Sequence, residues 1–145
     1  MQTSKQCNNL LRRISGDISA LYHEAAIQMG ISDTVQSILY VLCGNGDRCF
    51  QSDIYRQSGI NRQTLNSAIH KLVKDGIIYL EQGPGRNTVV CLTEKGKAFA
   101  KEKAYVLFEI EDNIFNEWTE DEQQEYVRLM QKFRDSLKRQ MELRL

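Results

Sequence analysis

The sequence predicts a mainly helical fold with a small β-wing, of mixed α+β class, and three observations predict it. A single proline, Pro84, stands in 145 residues, so long uninterrupted helices can form almost everywhere else. Apolar residues recur at three- and four-residue steps through both ends of the chain, which is the period of one helix face. Between those ends, Asn61 to Gly96 reads NRQTLNSAIHKLVKDGIIYLEQGPGRNTVVCLTEKG. That order is a capped helix, a short strand, a tight loop carrying one arginine, a second strand and the start of another helix. A helix with an exposed face that can enter a groove, followed by a hairpin that can reach beside it, suits the holding of duplex DNA.

Bulk composition points to about one domain over residues 1–145, with 41% apolar content. A chain of this size buries enough surface to fold without metal or disulfide. The formal net charge is zero, from 19 basic and 19 acidic residues. Its distribution is uneven. Residues 48–101 hold nine Lys/Arg against four Asp/Glu, a net of +5, whereas residues 102–145 hold seven against eleven, a net of −4. A basic module between neutral and acidic helices attracts phosphate locally whatever the total charge. The four cysteines, Cys7, Cys43, Cys49 and Cys91, show no CxxC spacing. No secretory signal and no run of 18 apolar residues is present. The expectation is a cytoplasmic protein with reduced thiols and no membrane partner.

Each element has its own local signals. From about Ser4 to Met29, Leu10 or Leu11, Ile14, Ile18, Leu21, Tyr22, Ala25 and Met29 mark one long helix, roughly 39 Å at ~1.5 Å per residue. Gly30 ends it. Ser32 or Asp33 caps a second helix through Val35, Ile38, Leu39 and Leu42, and Gly44-Asn45-Gly46-Asp47 stops that one. Cys49-Phe50 is a short extended piece, followed by a third helix from near Gln51 to Ser58 that buries Ile54 and Tyr55. Gly59 ends this helix, and Asn61 caps the next by accepting first-turn N–H groups. Leu65, Ile69, Leu72 and Val73 form the buried stripe of the fourth helix, with Gly76 as its C-terminal glycine. Ile77 to Leu80 and Thr88 to Leu92 are β-branched-rich strands around Gln82-Gly83-Pro84-Gly85-Arg86-Asn87, a hairpin by composition. Thr93 caps one long helix through Phe99, Tyr105, Phe108 and Phe115. Thr119-Glu120-Asp121-Glu122 is a capping box opening a last helix whose face carries Tyr126, Leu129 or Met130, Phe133, Leu137 and Met141. The terminal apolar stripes exceed what a small winged core needs, and such faces usually meet a second copy. A homodimer is the expectation, with residues 32–96 as a winged helix-turn-helix and residues 1–29 and 97–145 as helical dimerisation parts.

This layout resembles the MarR family of bacterial transcriptional regulators over nearly the whole chain. The helix-turn-helix SDIYRQSGINRQTLNSAIHKLVKDGII matches in register at Leu65, Ile69, Leu72 and Gly76. VVCLTEKGKAF is similar to the family's post-wing segment, with Leu92-Thr93-x-x-Gly96, and Arg86 lies where the family carries its wing arginine. Pro84 replaces the acidic residue that usually precedes this arginine by two, and Arg62 stands where a small residue or proline is common. The resemblance implies a repressor that binds a roughly palindromic operator and is relieved by a small effector.

On the outward face of the fourth helix, Arg62, Gln63, Asn66 and Ser67 are placed to read bases. Arginine pairs bidentately with guanine, and glutamine or asparagine with adenine. Thr64, His70, Lys71 and Lys74 are placed for phosphates, and Arg86 for the neighbouring minor groove. The bland alternative is a solvated polar face beside an ordinary hairpin, and the rival function is a winged-helix protein-interaction module. The resemblance also suggests a cleft for small aromatic effectors near Tyr22, His23, Met29, Ile38, Tyr40 and Phe108, although helical aromatics are more often core. Some family members sense peroxides through a first-helix cysteine, which makes Cys7 a candidate, with Cys43 and Cys49 around the glycine turn; buried inert thiols are the commoner case. His23 and His70 lack metal-ligand spacing. No phosphate loop, nucleophile elbow or His-carboxylate spacing suggests an enzyme, and no cofactor is expected.

Overall fold

Thr3 opens the first helix, α1 (Ser4–Met29), through a reciprocal cap: its Oγ1 accepts the Gln6 N–H at 3.2 Å while Gln6 Oε1 accepts the Thr3 N–H at 2.9 Å. Gly30 closes α1 in the left-handed conformation (φ +69°), which a side chain would resist. Ser32, accepting from Val35 N, starts α2 (Asp33–Gly44). A short strand β1 (Arg48–Phe50) follows, then α3 (Gln51–Ser58), and α4 (Arg62–Lys74) capped by Asn61 through Thr64 N at 2.9 Å. The computed structural model describes all residues from Met1 to Leu145. They group into two compact units, Met1–Tyr105 and Val106–Leu145. The first contains the whole winged segment 32–96.

In that first unit, Ile38, Leu39 and Leu42 of α2, Ile54 of α3, Leu65 and Ile69 of α4, and Ile78 and Val90 of the sheet are fully buried together. The sheet has three antiparallel strands in the order β1-β3-β2, with β2 spanning Ile78–Gln82 and β3 spanning Thr88–Leu92. Ile78 pairs with Leu92, Leu80 with Val90 and Cys49 with Val90. The extended piece at Cys49-Phe50 is thus a third strand, which leaves β3 in the centre and almost wholly buried.

A close approach ties the wing to the helix that follows it. Thr93 caps α5 (Glu94–Glu102) by accepting from Gly96 N at 2.9 Å, and its hydroxyl donates to Gly76 O at 2.5 Å. Thr93 N donates to Ile77 O at 3.1 Å, and Lys95 Nζ to Asp75 O at 2.8 Å. A Cβ on Gly96 would stand 1.8 Å from Ile77 O, so only glycine lets α5 lie against this backbone.

Three expectations are corrected. The helix from Thr93 is not continuous to Phe115: it breaks at Lys103 (φ −119°, ψ −84°), and α6 (Ala104–Asn116) starts anew. The break is held by long-range bonds, since Lys103 Nζ donates to Met29 O and Tyr105 Oη to Asp47 Oδ1 at 2.6 Å. Such bonds offset the lost helical ones. Val73 is 39% exposed rather than part of the stripe, because it stands about 100° round the helix from Leu72. Tyr55 is 38% exposed, its ring covered by Arg62 instead of by core.

In the second unit, α7 (Glu120–Arg144) begins at the Thr119–Glu122 capping box, whose backbone N–H holds the Glu122 carboxyl below its ordinary range. Trp118 packs edge-on to Phe115 and Tyr126, with ring centroids 5.2 and 5.3 Å away. Tyr126, Met130, Phe133, Leu137 and Met141 run exposed along α7, as Leu10, Leu11, Ile14, Ile18 and Leu21 do along α1. No helix is long and apolar enough to cross a membrane.

Candidate nucleic-acid interface

Side chains from three segments meet in one cleft of about 290 Å³: Gln51, Ser52 and Tyr55 from α3, Arg62 and Asn66 from α4, and Arg86, Asn87 and Thr88 from the wing. Arg62 is the first residue of α4, where the helix carries no acid and its own dipole disfavours a cation. Its guanidinium lies over the Tyr55 ring, 4.7 Å from the centroid, and this cation–π contact fixes its direction. Asn66 is held from α3, its Oδ1 accepting from Gln51 Nε2 at 2.9 Å.

The remaining predicted residues of α4 (Gln63, Thr64, Ser67, His70 and Lys71) are exposed on the helix and do not line the cleft. Ser67 Oγ donates to Gln63 O at 3.0 Å, which leaves only its lone pairs for a base. Of the basic residues in the winged segment, Arg48 pairs with Glu81 at 2.7 Å, Arg56 with Asp53 and Lys97 with Glu94. Arg62, Lys71, Lys74, Arg86 and Lys95 have no acidic side-chain partner, so the positive charge left unneutralised lies on α4, the wing tip and the first turn of α5.

Wing geometry explains how Arg86 is presented without an acid at position 84. Gln82 Nε2 donates across the loop to Gly85 O at 2.9 Å, and Gly83 N donates to Asn87 O at 2.8 Å. Gly85 takes φ +65°, and a Cβ on Gly83 would stand 3.0 Å from Asn87 O and from a Val89 methyl. Backbone and amide bonds thus brace the turn. Sequence reasoning missed Gln51, Ser52, Tyr55, Asn87 and Thr88; the i,i+4 spacing of Gln51 and Tyr55 was the available signal for a shared face.

Of the expected effector residues in the first unit, Tyr22 and Tyr40 come together and His23 and Ile38 do not join them. A separate cleft of about 360 Å³ is lined by Tyr22, Gln36, Ser37, Tyr40, Val41, Gln57 and Ser58. Tyr22 belongs to it. Ile38 does not, because it is fully buried among the core residues of α2. His23 instead pairs with Asp33 at 2.7 Å on the surface, and Phe108 lies on α6 in the second unit.

Cys7 is exposed, while Cys43 and Cys91 are buried and Cys49 half-buried, all as free thiols. Burial, then the nearby Asp47, pushes the Cys43 thiol up to about 12, and burial with Asp53 pushes Cys49 up to about 11. Both are poor nucleophiles at neutral pH. Iodoacetamide at pH 7.5 followed by mass spectrometry is expected to label Cys7 first, with Cys43 and Cys49 roughly a hundredfold slower or less reactive still. Comparable rates at Cys7 and Cys43 would refute this. The same shifts contribute stability that is intact below the ordinary thiol value of 9.0 and lost as pH rises through about 11 to 12. No three His, Cys, Asp or Glu side chains converge to hold a metal ion.

Residues 29–86 match the family model described as MarR family. No curated protein matches the sequence. Among solved structures, the chain is similar to NMB1585, a MarR family regulator from Neisseria meningitidis, with a TM-score of 0.80 and 21% identity, covering 94% of this chain and 96% of that one. It is similar to S. aureus MepR in its DNA-binding conformation (TM-score 0.75, 20% identity, 90% and 97% covered). A third likeness is to NadR in complex with 4-hydroxyphenylacetate (TM-score 0.72, 20% identity, 92% and 96% covered). At these identities the likeness is one of fold, and the family match rests on the winged segment. The winged segment thus matches the MarR family model, and the chain as a whole shares the fold of MarR family regulators of known structure.

Proposed function

We propose that the chain is a transcriptional regulator that binds duplex DNA as a homodimer and represses the genes beside its operator. One observation carries the reading: Arg62 and Asn66 of α4 and Arg86 of the wing line a single cleft. With α4 in the major groove, Arg62, Gln63, Asn66 and Ser67 face base edges, Thr64, His70 and Lys71 face phosphates, and Arg86 enters the adjacent minor groove. The exposed stripes of α1 and α7 supply the surface that a second copy covers, which sets two half-sites about 34 Å apart. A small aromatic effector is part of the proposal. NadR is solved with 4-hydroxyphenylacetate, and DNA binding by Bordetella bronchiseptica BpsR is regulated by 6-hydroxynicotinic acid; here the Tyr22 and Tyr40 cleft offers aromatic faces for such a ring.

The test is duplex binding measured from 50 to 200 mM salt, with mass by light scattering. A dimer whose affinity falls roughly a thousandfold over that range supports the reading, since log affinity falls by about 0.9 per phosphate contact per decade of salt. A monomer, or salt-independent weak binding, favours a protein-interaction module instead.

A further inference from the structure

Gln51 opens α3, outside the helix that presents most of the reading face, yet its amide is bonded to Asn66 of α4 at 2.9 Å and both line the cleft. Joined amides are held in one orientation, whereas a lone amide is free to turn. When one donates to the other, the donor keeps a free carbonyl and the acceptor keeps a free N–H. The outward edge then offers one acceptor and one donor, fixed side by side, and this holds whichever of the two amides donates. Adenine complements that edge in the major groove, with its N6–H donor and N7 acceptor. Guanine offers two acceptors, N7 and O6, so one amide carbonyl would face another oxygen. The same helix fixes the second reading side chain, because Tyr55, one turn after Gln51, lies under Arg62.

We propose that Gln51 is a specificity-determining residue: bonded to Asn66, it reads an adenine in the major groove of each half-site. This rests on the DNA-binding reading given above. It also predicts a switch. In Gln51→Glu the carboxylate can only accept, so it takes the Asn66 N–H, and the outward edge becomes two acceptors. That edge suits a donor, the N4–H₂ of cytosine.

The experiment enriches sequences from a random duplex library on the full-length wild type and on Gln51→Glu and Gln51→Met. Kd is then measured on the enriched duplex and on single-base variants of it. The wild type is expected to enrich adenine at one position per half-site, with roughly tenfold weaker binding when guanine replaces it. Gln51→Glu moves that position alone toward cytosine, and Gln51→Met, which leaves the Asn66 amide free to turn, narrows the adenine preference there to about threefold. If the wild type enriches a motif and both variants enrich the same one, or lose affinity evenly at every position, Gln51 is structural and the proposal is overturned. If the folded wild type enriches nothing, the DNA-binding reading falls and takes this one with it.

Discussion

Arg62→Ala is expected to weaken operator binding by about ten- to a hundredfold, the cost of losing one bidentate base contact. The loss is concentrated at one base pair. Arg62 can act so because Tyr55 holds its guanidinium in a fixed direction, so little side-chain freedom remains to be lost when the base arrives. Arg62→Lys separates charge from fork: the lysine keeps the attraction for phosphate and the salt slope, but discriminates poorly between bases. Arg86→Ala should behave differently, weakening binding most where the flanking minor groove is A·T-rich and narrow, and flattening the log–log salt slope by up to about one. Fluorescence anisotropy on one duplex and its single-base variants, across salt, measures all three. Unchanged affinity and slope in both alanine variants would remove the cleft from the interface.

Gly96→Ala is expected to have the largest effect on stability, a loss of about 3 kcal/mol or more. The added methyl would stand 1.8 Å from Ile77 O, and that oxygen cannot retreat because it accepts from Thr93 N and from the Thr93 hydroxyl. Against a typical total of roughly 5–15 kcal/mol, much of the protein would be unfolded or unrecoverable on expression. Gly16→Ala is the control: nothing lies within 4 Å of a Cβ there, and alanine inside a helix gains about 1 kcal/mol over glycine. Urea denaturation should move the two variants in opposite directions. Equal stability of Gly96→Ala and wild type would show that α5 does not lie on the wing backbone.

What could be read from the sequence divides along the range of the interactions involved. The helix starts at Asn61, Thr93 and Thr119 were legible, and that of the second helix to within Ser32 or Asp33, because a cap is satisfied three residues away. The hairpin was legible from its turn residues and flanking β-branched runs. The break at Lys103 was not, since the groups that hold it, Met29 O and the Asp47 carboxylate, lie more than fifty positions back in the chain. Tyr55 and Gln51 were missed for a related reason: an aromatic on a short amphipathic helix reads as core, and only the folded chain shows that the start of α4 passes over it. The exposed positions of Arg62, Asn66 and Arg86 were legible, but not the Tyr55 and Gln51 contacts that hold the first two. Ile38 was misplaced because a helical apolar residue near a presumed cleft has the same pattern as one pointing away from it.

The aromatic packing of the second unit has an optical consequence. The chain has one tryptophan and six tyrosines, and Trp118 lies in the Val106–Leu145 unit with Tyr126 alone. The other five tyrosines all belong to Met1–Tyr105. Indole emission therefore follows one unit, while tyrosine absorbance is weighted five to one toward the other. Spectra recorded on a single unlabelled sample can thus tell which half of the molecule a ligand, a denaturant or a mutation has disturbed.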